Sequence, residues 1–354
     1  MAHKVAVTYL NRSAEGVAPV ENFIRSYKKA DPGMDHEFIT IYKGFAPVEM
    51  EASRRLFENM EDRWVSVDDD MTDIDAYLIA AEKFSDIDVF CFLNTFSEIN
   101  CNQWLYFLHD ALAKDGIGIA GASASYESLF NSYKLISKAV WLCSQGALKY
   151  NYRLYLHYKT IFDEHAAFWL QQKSARRFIY SYLPNYAPRI KYHDKYNTLF
   201  EEYWKELTAA NGVFSFIEGY PPFPNPSIRT NCFMVRRKHL ACFLNNNFRM
   251  TKNQSYLFES GPEGLTSSIL NKGLRAVIVN SDGNVYDVEQ WPQSETFRLG
   301  KQEKLMVADN QTKGFVGMNP LQRNVLAYMT WGSALGDAPA YVSVFGIPFD
   351  VAWK

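Results

Sequence analysis

The sequence predicts an α/β fold, a layered sandwich about a mostly parallel central sheet with a helical insert. Three observations carry this. Over residues 4–125, short strand-like runs alternate with stretches that repeat apolar residues at helical spacing. The run Val-Phe-Cys-Phe-Leu at 89–93 is apolar throughout and bounded by polar residues, the pattern of a strand buried on both faces. After a long helical stretch, residues 230–236 and 276–279 again read as strands, so the chain leaves the sheet and returns to it.

In order, residues 4–10 alternate and are Val-rich, a first strand. Residues 19–29 place Val20, Phe23, Ile24 and Tyr27 on one helical face, with Pro19 near the start. A second strand spans 36–42 and ends at Lys43-Gly44. A helix over 50–60 and a third strand over 63–67 follow, and three aspartates, Asp68 to Asp70, come next. Thr72 is placed to cap a helix over 73–84. The buried strand then ends in Asn94-Thr95-Phe96-Ser97, where an open α/β sheet binds its ligands. The bland alternative there is an Asx turn closing a core strand. A helix over 102–114 and a strand over 117–120 complete a Rossmann-like alternation. Later, 258–272 reads as a loop followed by a helix, with Gly273 as its C-cap, and 321–330 reads as a helix. The expected division is 1–130, 131–222 as the helical insert, and 223–354.

The composition, 47% hydrophobic and 21% charged, is that of a globular protein, and the 16% aromatic content is high. No apolar run approaches the ~20 residues of a membrane span. Five cysteines, at 91, 101, 143, 232 and 242, show neither paired nor metal-site spacing. With no apolar leader before the first strand, the expected compartment is the cytoplasm. The net charge of −2 hides an asymmetry: residues 133–195 hold 11 Lys or Arg against 3 Asp or Glu, a balance of +8, leaving −10 elsewhere. That split suggests a face that meets an anion. Glycine-rich dinucleotide loops, Walker loops and nucleophile elbows are absent, and His157 and His165 lack the spacing of a helical metal pair.

Three motifs carry a resemblance. Asp73-Ile74-Asp75-Ala76-Tyr77 resembles an Asp-Ile-Gly-Ala-aromatic signature, and Phe92-Leu93-Asn94-Thr95-Phe96-Ser97 resembles a Leu-Asn-Asp-Ser strand end. Glu259-Ser260-Gly261 lies where an acidic base is often placed. Together they resemble GT-A glycosyltransferases of the broad family-2 type, near the rhamnan-synthesis-like branch, over 4–125 and 227–315. The resemblance implies a GT-A-like sheet and transfer of a sugar from a nucleotide-sugar donor to an acceptor hydroxyl, with inversion. A saccharide or lipid-linked glycan is the favoured acceptor, as in polysaccharide biosynthesis, and a nucleic-acid base the second choice. Two departures stand out. Asp75 replaces the signature's glycine, and Asn94 and Phe96 stand where an Asp-x-Asp pair would hold Mg²⁺ or Mn²⁺ on the diphosphate. Either Glu98 or other carboxylates hold the metal, or the diphosphate leaves without one.

Such a transfer needs a slot for base and ribose, positive charge for the diphosphate, and a base for the acceptor. The expected slot is lined by Thr8, Tyr9 (stacking on the nucleobase), Asn11, Lys43, Asp73, Asn94 and Thr95, with Arg229 on the diphosphate. Ordinary loop polarity is the alternative for each. Glu259, in a Ser-Gly-Pro turn, is the expected base, with Glu263 as competitor, and Asp309 is the second catalytic candidate, read as binding sugar hydroxyls. In the basic insert Arg176, Arg177, Arg189 and Lys191 are expected to bind the acceptor or an anionic membrane surface, a peripheral contact at the inner face. A dimer surface or a solvated helical lobe are the other readings of that segment. The rival functions are a nucleotide-sugar- or glycan-binding protein that has lost catalysis, and a sugar nucleotidyltransferase, whose Gly-rich phosphate loop residues 9–16 do not resemble.

Overall fold

The computed structural model describes residues 3–144, 195–244, 248–335, 343–344 and 347–348. The chain divides into two units, 1–126 with 226–323, and 127–225 with 324–354. The tail from Asn324 onward thus groups with the inserted residues, not with the sheet as its sequence position had implied.

The elements run β1 (Val5–Arg12), α1 (Val17–Lys29), β2 (Glu37–Lys43), α2 (Pro47–Leu56), β3 (Arg63–Val67), α3 (Asp73–Lys83), β4 (Val89–Leu93), β5 (Glu98–Ile99), α4 (Trp104–Ala113), β6 (Ile117–Gly121), β7 (Ala124–Ser125) and α5 (Leu129–Ser144). Then come α6 (Lys195–Thr208), β8 (Ser227–Ile228), β9 (Cys232–Arg236), α7 (Arg237–Leu240), α8 (Lys252–Ser260), α9 (Leu265–Asn271), β10 (Arg275–Val279), β11 (Val285–Tyr286), β12 (Val307–Ala308), α10 (Asn310–Gly317) and α11 (Pro320–Trp331).

In the first unit, eight strands form one sheet in the order β11-β10-β6-β9-β4-β1-β2-β3. β1 pairs parallel with both β2 and β4, and β2 pairs parallel with β3. The returning β9 enters antiparallel between β4 and β6, and β10 lies parallel to β6. The fold is therefore α/β with a mixed, mostly parallel sheet. The order reverses between β1 and β4, which makes their carboxyl edge the switch point where open α/β sheets bind ligands.

Both faces of the sheet are covered. On one, the Tyr9 ring stacks on Phe23 of α1 at 3.8 Å between centroids, in a core with Phe38, Phe57 and Trp104. On the other, Tyr77 of α3 packs on Phe92 (4.8 Å), which packs on Phe233 of β9 (5.2 Å). Each such ring, fully buried, contributes roughly 1.5–3 kcal/mol. This explains why β4 is apolar without alternation.

Several elements differ from the sequence reading, among them α2, which runs from Pro47 to Leu56 and not over 50–60 because Pro47 opens it. β1 runs on to Arg12, because its pairing with β2 continues through Asn11 opposite Tyr42 and Arg12 opposite Lys43 after the pairing with β4 has ended at Tyr9. The loop expected after residue 258 is instead the end of α8, begun by a Thr251/Gln254 capping box; the turn is 261–264, and α9 follows. The second unit has its own aromatic core: α5 meets α6 through Phe130–Trp204 (5.8 Å), Trp141–Phe200 (5.9 Å) and the Lys134–Glu201 ion pair (3.0 Å).

Candidate functional site

The carboxyl edge of the first unit's sheet brings several predicted residues together and withdraws others. Tyr9 is fully buried, and its hydroxyl donates to the Thr95 carbonyl at 2.8 Å. With its ring face on Phe23 it is a core residue, so the expected stacking on a nucleobase is overturned. Thr8 and Asn11 are also fully buried, and Asn11 donates from Nδ2 to Ser53 of α2 at 2.8 Å. The extra residues of β1 move all three from the expected slot into the sheet interior. The residue that ends β1 is Arg12, bonded through Nε to Asp69 at 3.0 Å. It went unnoticed because the strand was read two residues short.

The strand end after β4 is the Asx turn foreseen as the bland alternative. Asn94 Oδ1 accepts from the Phe96 amide (3.1 Å) and the Ser97 hydroxyl (3.0 Å). Thr95 is buried and serves as Tyr9's acceptor. Glu98, the substitute metal ligand, is paired with Lys313. Among the described residues no group of three or more His, Cys, Asp or Glu could hold a metal ion. With its amide oxygen spent and a phenyl ring two residues on, this strand end does not fit Mg²⁺ or Mn²⁺.

What does converge is an arc of charges. Lys43, at the end of β2, is buried, and its Nζ lies 2.8 Å from Oδ1 of Asp73 at the start of α3. The Asp73 side chain is 52% exposed, so this pair opens to solvent on one side. Tyr77, one turn along α3, directs its hydroxyl to the Thr230 carbonyl at a long 3.5 Å. Burial above all, then the charges of Asp73 and Glu259, push its phenol well up. Thr230 donates its hydroxyl to Glu259 on α8. Burial holds the Glu259 carboxyl above its usual range, partly offset by the Thr230 hydrogen bond and the Arg229 charge, while Asp73 adds repulsion. A half-buried carboxylate with a raised proton affinity beside a strand end is the electrostatic form of a base poised for proton transfer. It sits in the last turn of a helix, not in the expected turn.

Arg229 is held tightly. Its Nη2 reaches Asp309 Oδ2 (2.8 Å) and Gln311 (3.0 Å), its Nη1 reaches Ser123 (3.3 Å), and its guanidinium lies over the Phe297 ring at 3.9 Å. Asp309 is 1% exposed and caps α10, accepting from the Thr312 amide at 2.8 Å through Oδ1. Burial alone would raise its pKa, but the Arg229 charge and the Thr312 bonds overcome that and lower it. Both carboxylate oxygens are engaged, so Asp309 positions Arg229, and the reading of it as a catalytic or sugar-binding group is corrected.

The sequence reading missed Thr230, Ser123, Asn231 and Tyr77. Asn231 accepts the Asn94 amide on its carbonyl (3.1 Å) and the Ser123 hydroxyl on Oδ1 (3.0 Å), which ties the ends of β4, β6 and β9 together. Glu263 is exposed in the turn before α9. Arg176, Arg177, Arg189 and Lys191 lie outside the described residues, as do His157 and His165.

The sequence matches no protein-family model and no curated protein. Among solved structures it is similar to the mannosyltransferase PcManGT from Pyrobaculum calidifontis, in complex with GDP-Man and Mn²⁺, at 13% identity over 34% of this chain and 35% of that one, TM-score 0.28. It is also similar to S. aureus TarS, at 12% identity over 33% of this chain and 21% of that one, TM-score 0.28. The likeness is to GT-A glycosyltransferase structures, spans about a third of this chain and well under two thirds of either neighbour, and concerns the fold alone.

Proposed function

We propose that the protein binds a nucleotide sugar at the carboxyl edge of its sheet and transfers the sugar, with inversion, to an acceptor hydroxyl. One observation carries this reading: Glu259, its proton affinity raised by burial, faces Thr230 at the switch-point edge, with the Lys43–Asp73 and Arg229–Asp309 pairs in its field. The acceptor oxygen attacks the anomeric carbon and passes its proton to Glu259. The bond from that carbon to the diphosphate breaks, and the diphosphate takes the electron pair. Lys43 is the better placed cation for the leaving group, because its partner Asp73 is half exposed and exchangeable with solvent, whereas Arg229 has three acceptors of its own. The strongly basic segment 133–195 supports an anionic or lipid-linked glycan as acceptor, and a nucleic acid would meet the same charge.

Glu259→Gln keeps the acceptor atom for Thr230 and removes the basicity. Turnover with nucleotide sugars should fall by ~10²–10⁴-fold with donor affinity nearly unchanged, the signature of an interaction made in the transition state. Turnover in the variant close to wild type, or a product that keeps donor stereochemistry, rejects the assignment.

The rival, sugar-nucleotide binding without transfer, is favoured by Asn94, whose amide oxygen is closed into the turn where a ligand carboxylate would be expected. Thermal stabilisation by a nucleotide sugar without hydrolysis or transfer selects that rival.

A further inference from the structure

The opposite edge of the same sheet carries a cleft that the proposed transfer does not use. It lies at the amino ends of β4 and β6 and the carboxyl end of β9, and its volume is about 650 Å³, within the ~300–1,000 Å³ of small-molecule sites. Four of its lining side chains are cations, Lys114, Arg236, Arg237 and Lys238, against two carboxylates, Asp88 and Asp115.

These cations are not equally available. Arg236 spends its guanidinium on the carbonyls of Ile117 (2.8 Å) and Leu112 (2.5 Å), and Lys114 pairs with Asp110 at 3.1 Å. Arg237 commits only Nε, to the Ala81 carbonyl at 2.8 Å. Its two terminal amino groups, and the ammonium of exposed Lys238, meet no acceptor among the described residues. His239 lines the same cleft, 8% exposed, and its ring nitrogens have no hydrogen-bond partner among the described residues.

Burial first, then the charges of Lys238, Arg236 and Lys272, lower His239 to about 4, so its ring is neutral and offers one donor and one acceptor. His109 is lowered for the same reasons, by burial, His3 and Arg236. A cleft lined by an unpartnered neutral imidazole and by guanidinium and ammonium donors without acceptors of their own is complementary to a multiply charged anion.

We propose that this cleft binds a soluble phosphate-bearing small molecule, with Arg237 and Lys238 on the phosphate oxygens and His239 donating a hydrogen bond from the wall. Pyrophosphate titrated into the full chain at low salt, followed by calorimetry, tests it. The wild type should show saturable binding below about 1 mM. Arg237→Gln/Lys238→Gln should weaken that event at least about tenfold, while Arg237→Lys/Lys238→Arg restores it. Both changes sit on side chains whose loss leaves the sheet's hydrogen bonds in place, and circular dichroism and melting confirm that each variant is folded. Should pyrophosphate also enter the opposite edge, the wild type shows two events and the Gln variant keeps one. No saturable binding by the wild type, or identical titrations of wild type and the Gln variant, overturns the proposal.

Discussion

Glu259 and Asp309 are two carboxylates a few side chains apart whose environments push them in opposite directions. Folding raises Glu259 above its usual 4.5, so the folded state holds that proton more tightly than the unfolded chain. Its contribution to stability is present at low pH and is lost as pH rises from that value through the folded one. Glu259→Gln does not titrate, so melts across pH 4–8 should show the variant gaining on the wild type as pH rises, a trend that Glu263→Gln, on an exposed side chain, should lack. Asp309 has the reverse sign. Its lowered pKa means stability that is present above its unfolded value of 3.8 and is lost as pH falls through the folded one. Asp309→Asn leaves the Arg229 guanidinium without its counter-charge in a site where both are largely buried. Denaturant unfolding at neutral pH should report a loss of about 3–5 kcal/mol. The same variant should lose little more on acidification, whereas the wild type does.

Among elements, α3 shows how one acidic residue at a helix start ties two segments together. Thr72 caps it, accepting the Asp75 amide at 3.2 Å, and Asp75 returns the bond to the Thr72 amide at 2.8 Å. Asp75 is also fully buried and accepts the Met250 amide at 3.1 Å, so it fastens the segment before α8 to the start of α3. Thr72→Ala should cost about 1 kcal/mol. Asp75→Ala should cost more, because it strands the Met250 amide as well as the cap, at roughly 1–3 kcal/mol for each unsatisfied buried group. Chemical denaturation of the two variants ranks them, and equal losses would deny Asp75 its second role. At the end of β2, Gly44 has φ +74°, and a Cβ there would stand 2.7 Å from the Cβ of Asp69. Gly44→Ala should therefore cost about 1–2 kcal/mol from backbone handedness alone and also displace Asp69 from Arg12, which a double-mutant cycle with Arg12→Ala would reveal as coupling.

At the scale of the molecule, two of the three points at which the chain passes between units lie side by side. β7 pairs antiparallel with β8, with Ser125 opposite Ser227, so residues 127–225 leave and re-enter the first unit at one place. Replacing them with a Gly-containing turn of about four residues and ending the chain at 323 should leave the eight-stranded sheet folded, with cooperative unfolding and donor binding retained. If the basic segment receives the acceptor, this deletion removes acceptor affinity and its salt dependence, as does neutralising Arg176, Arg177, Arg189 and Lys191 together in the full chain. Unchanged acceptor affinity in both would leave that segment a solvated lobe.

Periodicity and caps are local, which is why the sequence alone determined the α/β alternation, the doubly covered β4 and the Thr72 cap, and left the turn at Asn94 open between closure and ligand binding. Those features depend on residues within a few positions of each other, and burial on both faces writes itself into β4 as five apolar residues in a row. Only the tertiary structure decided which polar residues stay at the edge. Thr8, Tyr9 and Asn11 look like strand-end ligands until β2 lengthens β1, α1 covers Tyr9 and α2 covers Asn11, and no local signal records that. The pairing of Lys43 with Asp73, of Arg229 with Asp309 and of Thr230 with Glu259 spans 30, 80 and 29 residues respectively. Charges that far apart in sequence have no spacing to be read. Their proton affinities come from burial and from one another, and both exist only once the chain has folded.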